Sequence, residues 1–456
     1  MSGYVGGIAS QRAPVVVALL LGCAAAATAV PAVVGGVRPW HLLVILALTL
    51  ASCNNPTGLA RLRLGGIEIL AVLLSGWLFF AELANSHELR FGAEPVSATL
   101  PVFLLLAYWA SRIALAGTSD VAPFLRSFVA PGYFVALLAI GQALLPDQFR
   151  FVTVLAPSEA LEARFDTTIL IRATGLTGHW TGFGHYITVC IAVACILLLT
   201  RGANARASFR TFIGLGVLLA GAFATTTFTT IGVSLVLVAL TVVLNGVRLD
   251  VVLAAGIAAA VVIWVFGDIF FGRWAEQGVG QVRIEGIPSW TPNTIAYRIK
   301  IWAEQTLPAI SERPVTGWGS GLYSFSDPGR LYPRNLVWGS AESQWLASSV
   351  QSGIPAAVLV LALYVAVLVR LSPHKTNMPQ QARAVFRALV IATIVASMLS
   401  PALTNHGFPV AFWAALGALV SWTGDQCGTG SAGSATVAVR VPSHSSSEQV
   451  DEDGKP

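Results

Sequence analysis

The segment 271–344 gathers the residue types that could hold a phosphate group. It carries seven basic residues, Arg273, Arg283, Arg298, Lys300, Arg313, Arg330 and Arg334, against six acidic ones, Glu276, Glu285, Glu304, Glu312, Asp327 and Glu342. Residues 293–312 read as a surface helix, with Ile295, Ile299 and Trp302 on one stripe, Ile310 near it, and Lys300 and Glu304 opposite. Such a helix lies on a membrane face with its apolar side among the headgroups. Arg298, one turn before Trp302, then sits at the level of lipid phosphate or pyrophosphate. A guanidinium there either binds the phosphate or merely snorkels to it. Pro314 stops the helix. In the loop Gly317-Trp318-Gly319-Ser320-Gly321 the glycines let backbone approach a ligand, or form plain turns around Trp318 as an interface anchor.

The rest of the chain must position this segment, and its composition dictates how. Of the 456 residues, 55% are apolar and 11% charged, against about 25% charge in a soluble domain. The 27 basic and 22 acidic residues could not cover the surface of the roughly three soluble domains that this length would otherwise imply. The expected fold is therefore an all-α polytopic membrane protein. Apolar stretches at 14–35, 40–55, 67–83, 99–116, 127–145, 182–200, 210–226, 228–246, 249–270, 345–369, 384–403 and 407–423 give about twelve transmembrane helices. The stretch Thr225–Thr230 between two of them reads as a tight turn. The first stretch is longer than a signal-peptide core and is taken as a span.

Orientation follows from the short loops. Arg61 and Arg63, then Arg201, Arg206 and Arg210, then Arg370, Lys375, Arg383 and Arg387 fall on one side, with Arg12. The positive-inside rule makes that side cytoplasmic and puts both termini there. A transmembrane domain 1–423 then holds 271–344 as a large extracytoplasmic loop between the ninth and tenth spans. Residues 424–456, rich in Gly, Ser and Thr and ending in Asp451, Glu452 and Asp453, read as a disordered cytoplasmic tail. Without a dense Lys/Arg run there is no footprint for nucleic acid. The five cysteines form no disulfide framework and no Cys/His metal spacing, so no metal is expected.

Three blocks carry a resemblance. The first is Arg172-Ala-Thr-Gly175 followed by Leu-Thr-Gly-His179-Trp-Thr-Gly-Phe-Gly-His. The second is Arg298-Ile-Lys-Ile-Trp302, then Arg313-Pro314 and Gly317-Trp-Gly319-Ser-Gly321. The third is Glu342-Ser-Gln-Trp345-Leu346 with Gly353 beyond it. In order and placement, over about 172–370, they resemble the bacterial O-antigen ligase and polymerase (Wzy/WaaL-like) family of membrane glycosyltransferases. Glu342 stands where typical ligases carry His, which leans the resemblance toward the polymerases. The eighth span of many members opens with Ser-Arg, where this chain has Thr229-Thr230.

The resemblance implies a GT-C-type layout in the bacterial inner membrane. It implies transfer of glycan from an undecaprenyl-pyrophosphate donor to a glycan or lipid acceptor hydroxyl at the outer face, for cell-surface polysaccharide such as lipopolysaccharide or exopolysaccharide. No cofactor beyond that donor is implied. The leaving pyrophosphate needs cations in a partly dry site, and the planar guanidinium fork suits it. Arg172 and Arg298 are the leading candidates, with Arg283, Arg330 and Arg334 behind them and Trp302 and Trp318 as flanking contacts. Glu342 is the candidate base or hydroxyl-orienting group, with His179 and His406 as alternatives. Each has a plainer role open to it: a salt bridge or helix-start charge for Glu342, a structural histidine for the others. A transporter or flippase of lipid-linked sugar is the competing function. It would keep ionisable groups near the bilayer midplane, whereas Glu68, Glu82, Arg112 and Asp268 all lie near span ends. Nothing in the sequence sets an oligomeric state.

Overall fold

The computed structural model describes residues 5–31, 37–60, 62, 64–89, 95–118, 120–165, 171–200, 205–244, 264, 267–268, 271–272, 275, 285–319, 340–373, 378–403 and 407–422. The span expected at 249–270 falls almost wholly outside them. So do Arg283, Arg330, Arg334, His406 and the tail 424–456.

The described chain is helical. Its elements are α1 (Val5–Ala26), α2 (Pro39–Asn54), α3 (Pro56–Ala60), α4 (Gly66–Leu89), α5 (Pro95–Leu115), α6 (Ala122–Leu144), α7 (Phe151–Leu155), α8 (Glu159–Phe165), α9 (Trp180–Leu199), α10 (Ala205–Ala224) and α11 (Phe228–Leu244). They continue with α12 (Asn293–Ile301), a π turn at Trp302–Thr306, α13 (Leu307–Glu312), α14 (Gln344–Ser352), α15 (Ile354–Arg370), α16 (Gln380–Ala396) and α17 (Phe408–Ser421). Among the described residues, Gly66–Asn85, Ala122–Leu144 and Trp180–Leu199 are long and apolar enough to cross a bilayer. Shorter apolar helices, among them Pro39–Asn54, Phe228–Leu244 and Ile354–Arg370, pack beside them.

Burial follows from the side-chain pattern. The helix α9 is apolar on every side and is the axis of the bundle, with every residue from Gly182 to Leu197 buried. Around it stand α6, α10, α11, α16 and α17. Outer helices turn apolar faces outward: on α4, Ile69, Val72, Leu73, Phe80 and Leu83 recur at helical spacing and are all exposed. A soluble surface does not carry such a stripe on helix after helix. Inside, Phe412 stacks on Phe386 at 5.6 Å and Phe408 at 5.4 Å, with Tyr364 edge-on at 6.1 Å. Where α17 crosses α5 the approach is closer still, since a Cβ at Gly417 would overlap the carbonyl oxygen of Tyr108.

Two expectations change. The stretch 345–369 is not one helix. It breaks at Gly353 (φ +84°), where a Cβ would overlap the carbonyl of Val315. The carbonyls that α14 leaves without helical donors are capped from elsewhere: Trp318 N–H donates to Val350 O at 2.8 Å, Gly319 N–H to Gln351 O at 2.8 Å and the Trp77 indole to Ser352 O at 2.8 Å. The second change concerns 293–312. In α12 the buried residues are Ala296 and Ile301, while Ile295 is exposed and Trp302 half-buried; from the π turn onward they are Thr306, Ala309 and Ile310.

Gly417→Val is expected to destabilise the fold by about 1–3 kcal/mol through overpacking. Gly76→Ala, on α4 with open space around it, should be neutral or stabilising by up to about 1 kcal/mol. Unfolding midpoints of both variants in detergent check this.

Candidate functional site

Polar side chains gather at the end of the bundle that carries Trp180, Phe228 and Ser397. On one side of it, α12 presents Arg298 to the segment leading into α14. Arg298 Nη2 and Glu342 Oε2 are 2.9 Å apart, and the two side chains are 24% and 30% exposed. Arg298 Nη1 also donates to Thr294 O at 3.3 Å. Its Nε–H is buried and has no acceptor among the described residues. Two residues proposed separately from sequence, 44 positions apart, are thus one ion pair.

The segment holding Glu342 is gripped from both sides. The Trp302 indole donates to Ala341 O at 2.8 Å. Ser343 Oγ and Gln344 N both donate to Ser397 O, at 3.3 and 2.8 Å, capping the carbonyl that follows α16. Gln344 Oε1 in turn accepts from Leu403 N at 2.8 Å. Between these anchors Glu342 sits at φ +53°. That backbone costs a non-glycine residue about 1–2 kcal/mol and persists only where its surroundings impose it. Trp302 therefore serves this segment, and the π turn beginning at Trp302 presents its indole to it.

Arg172 lies in a second group. Its Nε donates to Thr225 O at 3.3 Å and its Nη2 to Thr227 Oγ1 at 2.9 Å. The guanidinium stands 4.3 Å from the centre of the Trp180 ring, and the residue is only 8% exposed. Ala173 N donates to Ala224 O at 3.0 Å. Arg172 thus closes the carboxyl end of α10, where a cation meets orphan carbonyls and the negative end of the helix dipole. Its loop is fixed by Gln142 Oε1, which accepts from Thr174 N and Gly175 N at 3.2 and 2.9 Å. The turn expected at Thr225–Thr230 spans only 225–227, since Phe228 opens α11, and its hydroxyls and carbonyls hold Arg172. Arg164, half-buried and 5.1 Å from the same indole centre, was not singled out from sequence.

The other candidates have structural work. His179 is the N-cap of α9: its Nδ1 accepts from Thr181 N at 3.3 Å and lies 2.7 Å from Thr181 Oγ1. Trp318 is buried, donates to Ala309 O at 2.8 Å and carries Arg313 over its ring at 4.6 Å. Arg313 Nη1 reaches Asn85 Oδ1 at 3.1 Å, so the Gly317–Gly319 loop is clamped to α4 as well as to α14. Those glycines serve internal packing. Among the described residues no group of three or more His, Cys, Asp or Glu could hold a metal ion.

Between the two charged groups lies a cleft that sequence reading missed. It is lined by His185 and Thr188 of α9, Thr229, Thr230 and Val233 of α11, Leu389, Thr393 and Ala396 of α16, and Phe408 of α17. The Thr225–Thr227 turn that holds Arg172 runs directly into its α11 wall. Its α16 wall ends at Ser397, whose carbonyl anchors the Glu342 segment. The available signal was a histidine and a threonine three residues apart inside an apolar helix, opposite a run of threonines.

No protein-family model matches the chain, and no curated protein matches it.

Gln142→Leu leaves two buried N–H groups without an acceptor and should lower stability by about 1–3 kcal/mol, read as a lower unfolding midpoint in detergent. A double-mutant cycle of Arg298→Ala and Glu342→Ala should give a coupling of up to about 1 kcal/mol, the range of a partly solvated pair.

Proposed function

We propose that this chain is a membrane glycosyltransferase of the bacterial inner membrane. In this reading it moves or polymerises glycan from an undecaprenyl-pyrophosphate donor onto an acceptor hydroxyl at the outer face. The reading places both termini in the cytoplasm, threads the chain about twelve times, and turns the Trp180 end outward with the loop 271–344 above it.

The observation that carries it is the Arg298–Glu342 pair, held in a strained and anchored segment rather than left loose at the surface. The Arg298 guanidinium, on a side chain 24% exposed, can add a pyrophosphate oxygen to its partners. As negative charge develops on the leaving pyrophosphate, Arg298 stabilises it. Glu342, a carboxylate 2.9 Å from that cation, orients the acceptor hydroxyl and takes its proton as the bond to the anomeric carbon forms. Arg172 contributes mainly by fixing the turn below, and Arg164 offers a more accessible cation on the same indole.

The transporter reading rests on one observation of its own, His185 buried inside α9 at 7% exposure. Proteoliposomes containing the protein and an undecaprenyl-pyrophosphate oligosaccharide separate the two. Chain growth or transfer is expected in wild type, with a loss of about 10²–10³-fold in Arg298→Ala, the size of removing one charge-stabilising donor. Glu342→Gln should slow transfer by about 10²–10⁴-fold. Movement of donor across the bilayer without any product would replace the transferase with the transporter.

A further inference from the structure

The cleft beneath the Thr225–Thr227 turn has a chemistry unlike that of the charged groups beside it. Among the described residues its polar lining consists of side-chain hydroxyls and one imidazole, with no carboxylate, ammonium or guanidinium. Thr188 and Thr393 already donate to helix carbonyls, Gly184 O at 2.7 Å and Leu389 O at 2.8 Å, so they face the cleft with lone pairs. Thr230 is 2% exposed, and its Oγ1 has no hydrogen-bond partner among the described residues. An unpaired hydroxyl buried in an apolar bundle is unfavourable unless something fills its need.

The cleft opens sideways. Thr229 and Val233 on α11 and Ala392 on α16 are half-exposed, beside the fully exposed Leu235, Val236, Ile391 and Val395. Its mouth is therefore on the apolar flank of the bundle, not at its charged end. His185 lies five residues into α9 from Trp180, about 8 Å along the axis at 1.5 Å per residue. With the Trp180 end at the outer interface, as proposed above, that is the depth at which headgroups give way to hydrocarbon. The enclosed space is about 10 Å³, room for one hydroxyl-sized group, so only the end of a ligand enters and its chain stays outside the cleft.

We propose that this cleft binds the hydroxyl end of a neutral membrane lipid, a long-chain alcohol, entering between α11 and α16. Thr230 donates to the lipid oxygen, and the lone pairs of Thr188 and Thr393 receive its proton. The chain leaves past Val233 and Ala392. A phosphate finds no cation in the lining and is disfavoured. The site stands whether or not the protein transfers glycan.

The test uses the full-length protein in proteoliposomes with a diazirine-bearing long-chain primary alcohol, against its methyl ether. Cross-linked peptides are mapped by mass spectrometry. The alcohol is expected to label α9, α11 and α16 about fivefold more than the ether, the worth of roughly one hydrogen bond. Ala392→Trp, at the half-exposed mouth, should abolish that excess, and Thr230→Val should reduce it. Equal labelling by alcohol and ether in wild type, a comparison needing no variant, would mean ordinary lipid contact or a bound water only and would overturn the site. So would an excess that Ala392→Trp leaves unchanged in protein whose unfolding midpoint matches wild type.

Discussion

A helix that ends or breaks inside an apolar bundle must find donors for its last carbonyls, because no solvent reaches them. That requirement organises this protein. The carboxyl end of α10 takes Ala173 N and the Arg172 guanidinium. The broken end of α14 takes two backbone N–H groups and the Trp77 indole. The end of α16 takes Ser343 and Gln344. In each case at least one donor comes from distant, irregular chain, so capping a helix also fixes a loop. The loops so fixed are the ones carrying Arg172, Trp318 and Glu342.

The charged pair inherits its geometry from this arrangement. Glu342 keeps a left-handed backbone because Ala341 is held to Trp302 on one side and Ser343 and Gln344 to Ser397 on the other. Arg298 and Trp302, one helical turn apart, both meet the 340–343 segment, and the register shifts only beyond them, where Thr306 and Ile310 are buried. Strain concentrated at one carboxylate, with an arginine docked on it, is the pattern of a site built for a task.

Much of this was legible in the sequence. Long apolar stretches gave α2, α9, α11 and α17 to within about three residues, because hydrophobicity dictates which segments the bundle buries, whereas α1 ends at Ala26 and α16 at Ala396, well short of the apolar stretches 14–35 and 384–403. The polar candidates Arg298 and Glu342 were recognisable as exceptions to that composition, but their pairing was not, since 44 residues separate them. The break at Gly353 was hidden for a related reason. Its glycine looks like any other until the Val315 carbonyl is brought against it. The stripe Ile295–Ile299–Trp302 was read from the larger apolar side chains, whereas the face that packs on the bundle carries Ala296 and Ile301 and leaves Ile295 exposed. His185 and Thr230 were visible only as parts of a motif and a Thr-rich stretch, and Thr393 not at all, because only the packing of α9, α11 and α16 makes them one cleft.

On the proposed reading Arg298, docked on Glu342, is a pyrophosphate-binding cation. Equilibrium binding of undecaprenyl pyrophosphate to detergent-purified protein, followed by intrinsic tryptophan fluorescence, tests it without requiring turnover. Wild type should bind the pyrophosphate more tightly than undecaprenol, and Arg298→Ala should lose at least about tenfold in affinity, the worth of one charge-assisted hydrogen bond. Equal affinity in wild type and Arg298→Ala would contradict the account.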